Sequence, residues 1–361
     1  MDFSLTDDQQ SLRDLATRMF REHGQPERLA ELEQGDWFDR QLWRNLADAG
    51  LLGIAVDEQH GGAGMTLLEL HLLLVELGRT VAHVPLWETA YAALAIEQSG
   101  TSLDLLADVC AGEVVPTVAL QDEGATPAAP TTTAVAADGG WALTGTKILV
   151  PAAQVADLLV VSATTDAGQT GLFLVQCTDV VMLPHRLSSD IPHAQVTMDG
   201  APAIALGEPD GTALPVLLEA AVAGQASVQT GLCEAALALA AKYTASREQF
   251  GRPIATFQAV SQRVADAFID TECLRLTALQ AAWRLAEGLP ATDEVRIAGY
   301  WAAEAGHRVL HACHHVHGGI GVDRDYPLYR YLMRTKQHEF TLGSATDHLV
   351  DLGLALAADP A

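Results

Sequence analysis

The chain has 361 residues, of which 49 % are hydrophobic, and a formal net charge of −25 at pH 7. This length and apolar content are enough for more than one packed core, and the acidity argues against nucleic acid or an anionic membrane as partner. The five cysteines, Cys110, Cys177, Cys233, Cys273 and Cys313, include no Cys-x-x-Cys pair, so reduced thiols in a cytoplasmic protein are expected rather than a disulfide frame.

The first residues are acidic and lack the basic start and apolar run of a signal peptide. No uninterrupted apolar segment is long enough to span a bilayer. Thr6 with Gln9 forms a capping box ahead of Leu12, Leu15, Met19 and Phe20, which predicts an opening helix. Further helices are expected from about Asp39 to Ala49, from about Thr66 to Gly78, after Pro85, and near Leu103–Cys110. Gly61-Gly62-Ala63-Gly64 reads as a connecting turn, because no strand leads into it as a phosphate loop requires.

The texture changes near Pro116, where Val- and Thr-rich runs alternate with Gly, Asp and Pro. Short strands are expected at Thr117–Gln121, Thr131–Ala136, Trp141–Leu143, Ala156–Ser162, Gly171–Gln176 and Gln195–Met198. Alanine-rich helices then cover Val216 to Ser246, Gln258 to Gly288, Thr292 to His315 and Leu328 to Phe340, with a last one closing the chain. The expected fold class is α+β, mostly α. An N-terminal helical domain spans 1–115, a central antiparallel β domain 116–206, and a C-terminal four-helix bundle 207–361.

Two motifs carry chemistry. Arg247-Glu248-Gln249-Phe250-Gly251-Arg252-Pro253-Ile254 ends one long helix, and His317-Gly318-Gly319-Ile320-Gly321-Val322 ends another. A guanidinium offers forked donors to phosphate oxygens, and glycines let backbone N–H groups approach without a Cβ in the way. For Arg247 alone, a surface cation at a helix C-terminus is the more natural reading. Together and in this order, the motifs resemble the C-terminal domain of the acyl-CoA dehydrogenase family, flavoenzymes that oxidise acyl-CoA thioesters to 2-enoyl-CoA. The helical, β, helical order agrees.

The resemblance implies FAD shared across a subunit interface, with one chain's β domain holding the flavin ring and a neighbour's bundle holding the ADP end. It assigns Arg247, Gly318 and Gly319 to the diphosphate and Phe250 and Gln258 to the adenine side. His315 stands where the family often has glutamine. It also implies an acyl-CoA substrate and the electron-transfer flavoprotein as acceptor.

The ring end departs from the family. Around the first flavin strand the chain reads Gln121-Asp122-Glu123 and then Pro127-Ala128, in place of Thr-Glu-Pro and Gly-Ser-Asp. Leu149 stands at the family tryptophan and Pro151 at its hydroxyl residue. The family's glutamate base is matched by Leu342, in Thr341-Leu342-Gly343-Ser344. Some members carry the base on the bundle's first helix, at a position matching Ala221. Glu219 lies close by and is the candidate catalytic residue, with Glu339 a lesser one. A plain N-terminal-turn acid is the other reading of Glu219.

One half kept and one half degraded points to a subunit of a heteromer whose base lies on a second acyl-CoA dehydrogenase-like chain. The resemblance extends to the smaller subunit of actinobacterial heterotetramers that act on steroid-derived CoA esters. A self-sufficient homomer using Glu219 and a non-catalytic structural subunit stay open. His307, His311, His314 and His315 share one helix, but Glu304-x-x-His307 has no second copy to complete a ferritin-like centre. No metal ligand set is assigned.

Overall fold

The computed structural model describes residues 4–137 and 139–358. Among the described residues eleven α-helices and nine strands follow in chain order, and the chain separates into two compact units.

The first unit comprises residues up to Leu29, His71–Ala82 and Val222 onward. Its opening helix α1 (Asp7–His23) begins on the expected capping box, in which the Gln9 N–H donates to Thr6 Oγ1 and the Thr6 N–H to Gln9 Oε1. It buries Leu12, Ala16 and Phe20. The helix α2 (Pro26–Gln34) was not anticipated. It is short and weakly apolar, with Leu29 its only buried residue among those described. The helix α3 (Arg40–Asp48), which belongs to the second unit, is capped by the Asp39 carboxylate, 3.1 Å from the N–H groups of Gln41 and Leu42.

The helix α4 (Leu67–Thr80) carries His71–Ala82 into the first unit, which is completed by most of α7 (Ala213–Ser246) and by α8 (Gln258–Ala286), α9 (Thr292–His317), α10 (Leu328–His338) and α11 (Ala345–Ala358). Small side chains set this core. Ala236, Ala240, Ala278, Ala281, Ala298, Ala302 and Ala305 are all buried with Leu274, Val309 and Leu310. Close crossing of α4 and α7 explains two glycines: a Cβ on Gly78 would strike the Val228 carbonyl, and one on Gly231 the Val75 carbonyl. A buried His71 Nδ1 lies 2.8 Å from Ser227 Oγ, and burial first, then Arg275, brings its pKa down to about 4.

The second unit holds Ala30–Leu70 and His83–Ala221. It contains α5 (Leu86–Ser99), α6 (Leu105–Cys110) and the sheet. The sheet strands are β1 (Pro116–Ala119), β2 (Thr133–Ala137), β3 (Gly140–Pro151), β4 (Leu158–Thr165), β5 (Thr170–Gln176), β6 (Val181–Arg186) and β7 (Pro192–Ala205). The order β1-β4-β2-β3-β7-β5 closes on itself through a β4–β5 pairing, with β6 added beside β7. Most pairings are antiparallel as expected, but β1–β4 and β2–β4 are parallel. The edge strand β6 has no clean alternation and contains Pro184, which is why its sequence gave no strand signal. At Gly61 the backbone is left-handed (φ 89°) and ends a short 3-10 turn, a connection and not a phosphate loop.

Candidate functional site

The Arg247 motif folds as a tight hairpin directly after α7. Strands β8 (Glu248–Gln249) and β9 (Arg252–Pro253) pair, and Phe250 and Gly251 turn between them with φ of 54° and 77°. Two consecutive residues at positive φ are what a twisted two-residue hairpin turn demands. The Ile254 N–H donates to the Arg247 carbonyl and closes the loop. At the tip, Phe250 is 93 % exposed. The guanidinium of Arg252 lies 4.3 Å over the Phe257 ring, which meets Phe250 edge-on at 6.1 Å. Arg247 itself is exposed, and among the described residues no carboxylate pairs with it. Gln258 opens α8 and is exposed next to Phe257.

The second motif ends α9. The Gly318 N–H caps the carbonyls of His314 and His315, and its φ of 64° with ψ of −142° is open only to glycine. Gly319 has no such backbone reason, and a Cβ added there would meet nothing within 4 Å. Neither conformation nor packing inside the chain requires glycine at 319. His315 is exposed in the last turn of α9.

A buried imidazole ties the two motifs together. His317 stacks on Tyr243 at 4.5 Å between ring centroids, and Tyr243 accepts the Arg247 N–H on its carbonyl. His317 Nδ1 lies 2.7 Å from the Cys313 carbonyl, so Nδ1 carries the proton. Its Nε2 then accepts from the Tyr326 hydroxyl at 3.0 Å. Burial holds the pKa of His317 below its ordinary value, the Cys313 carbonyl opposes this and His314 adds to it, and the ring is neutral. His317 opens the second sequence motif, but its pairing with Tyr243 and Tyr326 was not anticipated; Tyr243 stands one turn before Arg247.

The residues matched to the flavin-ring end are built differently. Lys147 is fully buried, with Nζ 2.8 Å from Asp122 Oδ2 and 3.0 Å from Ser162 Oγ. Asp122 also accepts from the Thr131 N–H at 3.0 Å and the Thr132 hydroxyl at 2.6 Å. Burial pushes the Lys147 pKa down to about 8 against the opposing pull of Asp122. The Gln121 amide donates to the carbonyls of Asp122 (3.0 Å) and Ala125 (2.6 Å), so its donors are spent on its own loop. Leu149 sits on a bulge of β3 at φ 52°, 47 % exposed and without a polar atom to offer. Pro151 offers only a carbonyl, which accepts from the Thr117 hydroxyl. Of these residues, Lys147 and Gln121 spend their side-chain donors inside the chain and Leu149 and Pro151 have none, whereas Arg247 is exposed.

The candidate bases divide likewise. Leu342, at φ 58°, packs partly buried against the helical core of its unit. The buried Glu339 is engaged by Lys336 at 2.9 Å and has His307 Nδ1 at 3.2 Å. Glu219 is half-buried on α7 but lies beyond that helix's first turn, so the dipole reading does not apply. Nearby, the Trp87 indole N–H donates to the Ala221 carbonyl at 3.2 Å. Among the described residues no three His, Cys, Asp or Glu side chains converge to cage a metal ion, and no helix is long and apolar enough to cross a membrane.

Residues 6–113 match the acyl-CoA dehydrogenase N-terminal domain and residues 218–350 the acyl-CoA dehydrogenase C-terminal domain. The chain is 40 % identical over 382 residues to acyl-CoA dehydrogenase FadE27 of Mycobacterium tuberculosis, covering 100 % of both. Among solved structures it is similar to a Tcur3481-Tcur3483 steroid ACAD variant (43 % identity, 98 % of each chain, TM-score 0.93). It is likewise similar to a chain of the ChsE4-ChsE5 complex of Mycobacterium tuberculosis (40 % identity, 100 % of each chain, TM-score 0.93). With whole-chain coverage at this identity, the chain belongs to the acyl-CoA dehydrogenase family.

Proposed function

We propose that this chain is one subunit of a heteromeric, FAD-dependent acyl-CoA dehydrogenase that introduces an α,β double bond into an acyl-CoA thioester, with a steroid-derived ester as the substrate class. The observation that carries this is the pairing of an uncommitted Arg247 with an open Gly318-Gly319 turn on one rigid support, Tyr243–His317–Tyr326. Arg247 holds the diphosphate through its guanidinium fork, and Gly318 and Gly319 admit phosphate oxygens close to the backbone. Phe250, Gln258 and His315 line the nucleotide around that grip. When bound, the flavin supplies the hydride acceptor. This chain's own part is to bind and orient the nucleotide, since Leu342 cannot take a proton and Glu339 is already paired.

The base and the ring pocket belong to a second acyl-CoA dehydrogenase-like subunit. Support for two different chains comes from the similarity to a structure described as a ChsE4-ChsE5 complex, and for the substrate class from one described as a steroid ACAD. An electron-transfer flavoprotein is the proposed acceptor, and the cytoplasm the proposed compartment. The test is to purify the chain alone and with its partner subunit. Flavin absorbance and dehydrogenation should emerge only from the pair. A solo chain that holds FAD stoichiometrically and oxidises an acyl-CoA, with activity abolished by Glu219→Gln, would make it a self-sufficient homomer instead.

A further inference from the structure

The hairpin after α7 carries a second uncommitted guanidinium besides Arg247. Arg252 is exposed, and among the described residues no carboxylate pairs with it. In the hairpin register Glu248 opposes Pro253 and Gln249 opposes Arg252. The bond from the Ile254 N–H to the Arg247 carbonyl, at 2.8 Å, sets Arg247 opposite Ile254. Side chains alternate across a strand, and directly opposed residues share a face. One face of the hairpin therefore carries Arg247, Gln249, Arg252 and Ile254, and the other carries Glu248 and Pro253. In a chain with 46 acidic and 21 basic residues, two arginines on one face with the hairpin's only acid on the other make a local exception to the net field.

The support under Arg252 places it without consuming its donors. Its guanidinium carbon lies 4.3 Å over the Phe257 ring, and Phe257 meets Phe250 edge-on at 6.1 Å. A ring face attracts the cation and leaves its N–H edge available to an anion. Arg247 and Arg252 are diagonal neighbours across the hairpin, a separation of about 7–8 Å that long side chains bridge. Both guanidiniums can therefore reach one anionic group.

We infer that Arg252 is a second cation of the nucleotide grip, so that the diphosphate of FAD meets two guanidiniums, Arg247 and Arg252. The inference rests on the FAD reading above. The diphosphate of a dinucleotide carries one negative charge on each phosphate, and Arg247 alone balances one of them. Gly318 and Gly319 offer backbone dipoles and no net charge. Arg252 supplies the missing charge, and the Phe257–Phe250 pair continues the row of contacts toward the adenine side.

The experiment measures FAD affinity of the partnered protein by flavin fluorescence, at low salt and at about 1 M salt, with thermal unfolding of each variant alongside. Arg252→Ala should weaken FAD at low salt by about five- to tenfold and leave Tm unchanged. Arg252→Gln, which removes the charge and keeps a polar side chain, should lose about as much, and Arg252→Lys should lose less. At about 1 M salt, where the screening length falls to about 3 Å, the gap between wild type and Arg252→Ala should narrow to about twofold. A folded Arg252→Ala or Arg252→Gln protein that holds FAD as wild type does would overturn the second cation. So would a loss of equal size at both salt concentrations, which marks a packing role for the side chain. Arg247→Ala separates the two readings. Flavin lost with Arg247→Ala and kept with Arg252→Ala leaves the FAD reading standing without its second cation, and flavin kept in both variants removes both.

Discussion

The hairpin-and-glycine end and the β-domain end of the proposed flavin path use polar residues in opposite directions. At the first, the network of Tyr243, His317 and Tyr326 is built on the buried His317, and Arg247, Gly318 and Gly319 are exposed beside it. At the second, Lys147, Asp122, Ser162 and Thr132 satisfy one another inside, Gln121 spends its donors on its own loop, and an apolar Leu149 is what faces solvent. A site for an anion needs donors left over after folding; a stable core needs none left over. On the proposed reading, the exposed half serves a ligand and the self-satisfied half serves its own stability.

The largest expected effect lies at the β-domain end. Lys147→Met leaves Asp122 charged and buried without its cation, and should cost about 3–5 kcal/mol in chemical denaturation. Adding Asp122→Asn should recover part of it. If Lys147→Met is silent, the network is not the support it is taken for.

At the other end, Arg247→Ala should leave the fold intact yet weaken FAD binding by the partnered protein by about 1.5–3 kcal/mol, or ten- to a hundredfold. Unchanged flavin content would reduce this chain to a structural subunit.

The helical unit should also be the acid-sensitive one through His71. Its folded pKa of about 4 lies below the ordinary 6.5, so between those values the unfolded chain binds more protons. Stability from this group is complete above pH 6.5 and is lost as pH falls toward 4, by at most about 1.4 kcal/mol per pH unit. His71→Asn should flatten that slope in acid titrations of thermal stability. The smallest effect is Tyr326→Phe. It removes the donor to His317 Nε2 and should cost about 1 kcal/mol, read as a lowered Tm with a few-fold weaker FAD affinity.

Much of this was legible in the chain because it depends on near neighbours. The Thr6–Gln9 capping box and the glycine turn at the end of α9 each involve residues a few positions apart. The replacements at Leu149, Pro151 and Leu342 were visible by resemblance. The ties that give these residues meaning were not. Tyr243 and His317 are far apart in sequence, and nothing in either helix's periodicity marks them as a stacked pair. Glu339 read as a stray candidate base until α9 and α10 placed His307 and Lys336 upon it.

Residue identity and local periodicity settled most of the helices and strands, though not α2, β6 or the hairpin, and where an arginine and two glycines would stand. Which polar groups stay free after folding was settled only in three dimensions. Hydrogen-bond partners that consume a donor, as Asp122 and Ser162 do for Lys147, come from strands and loops that sequence order does not bring side by side.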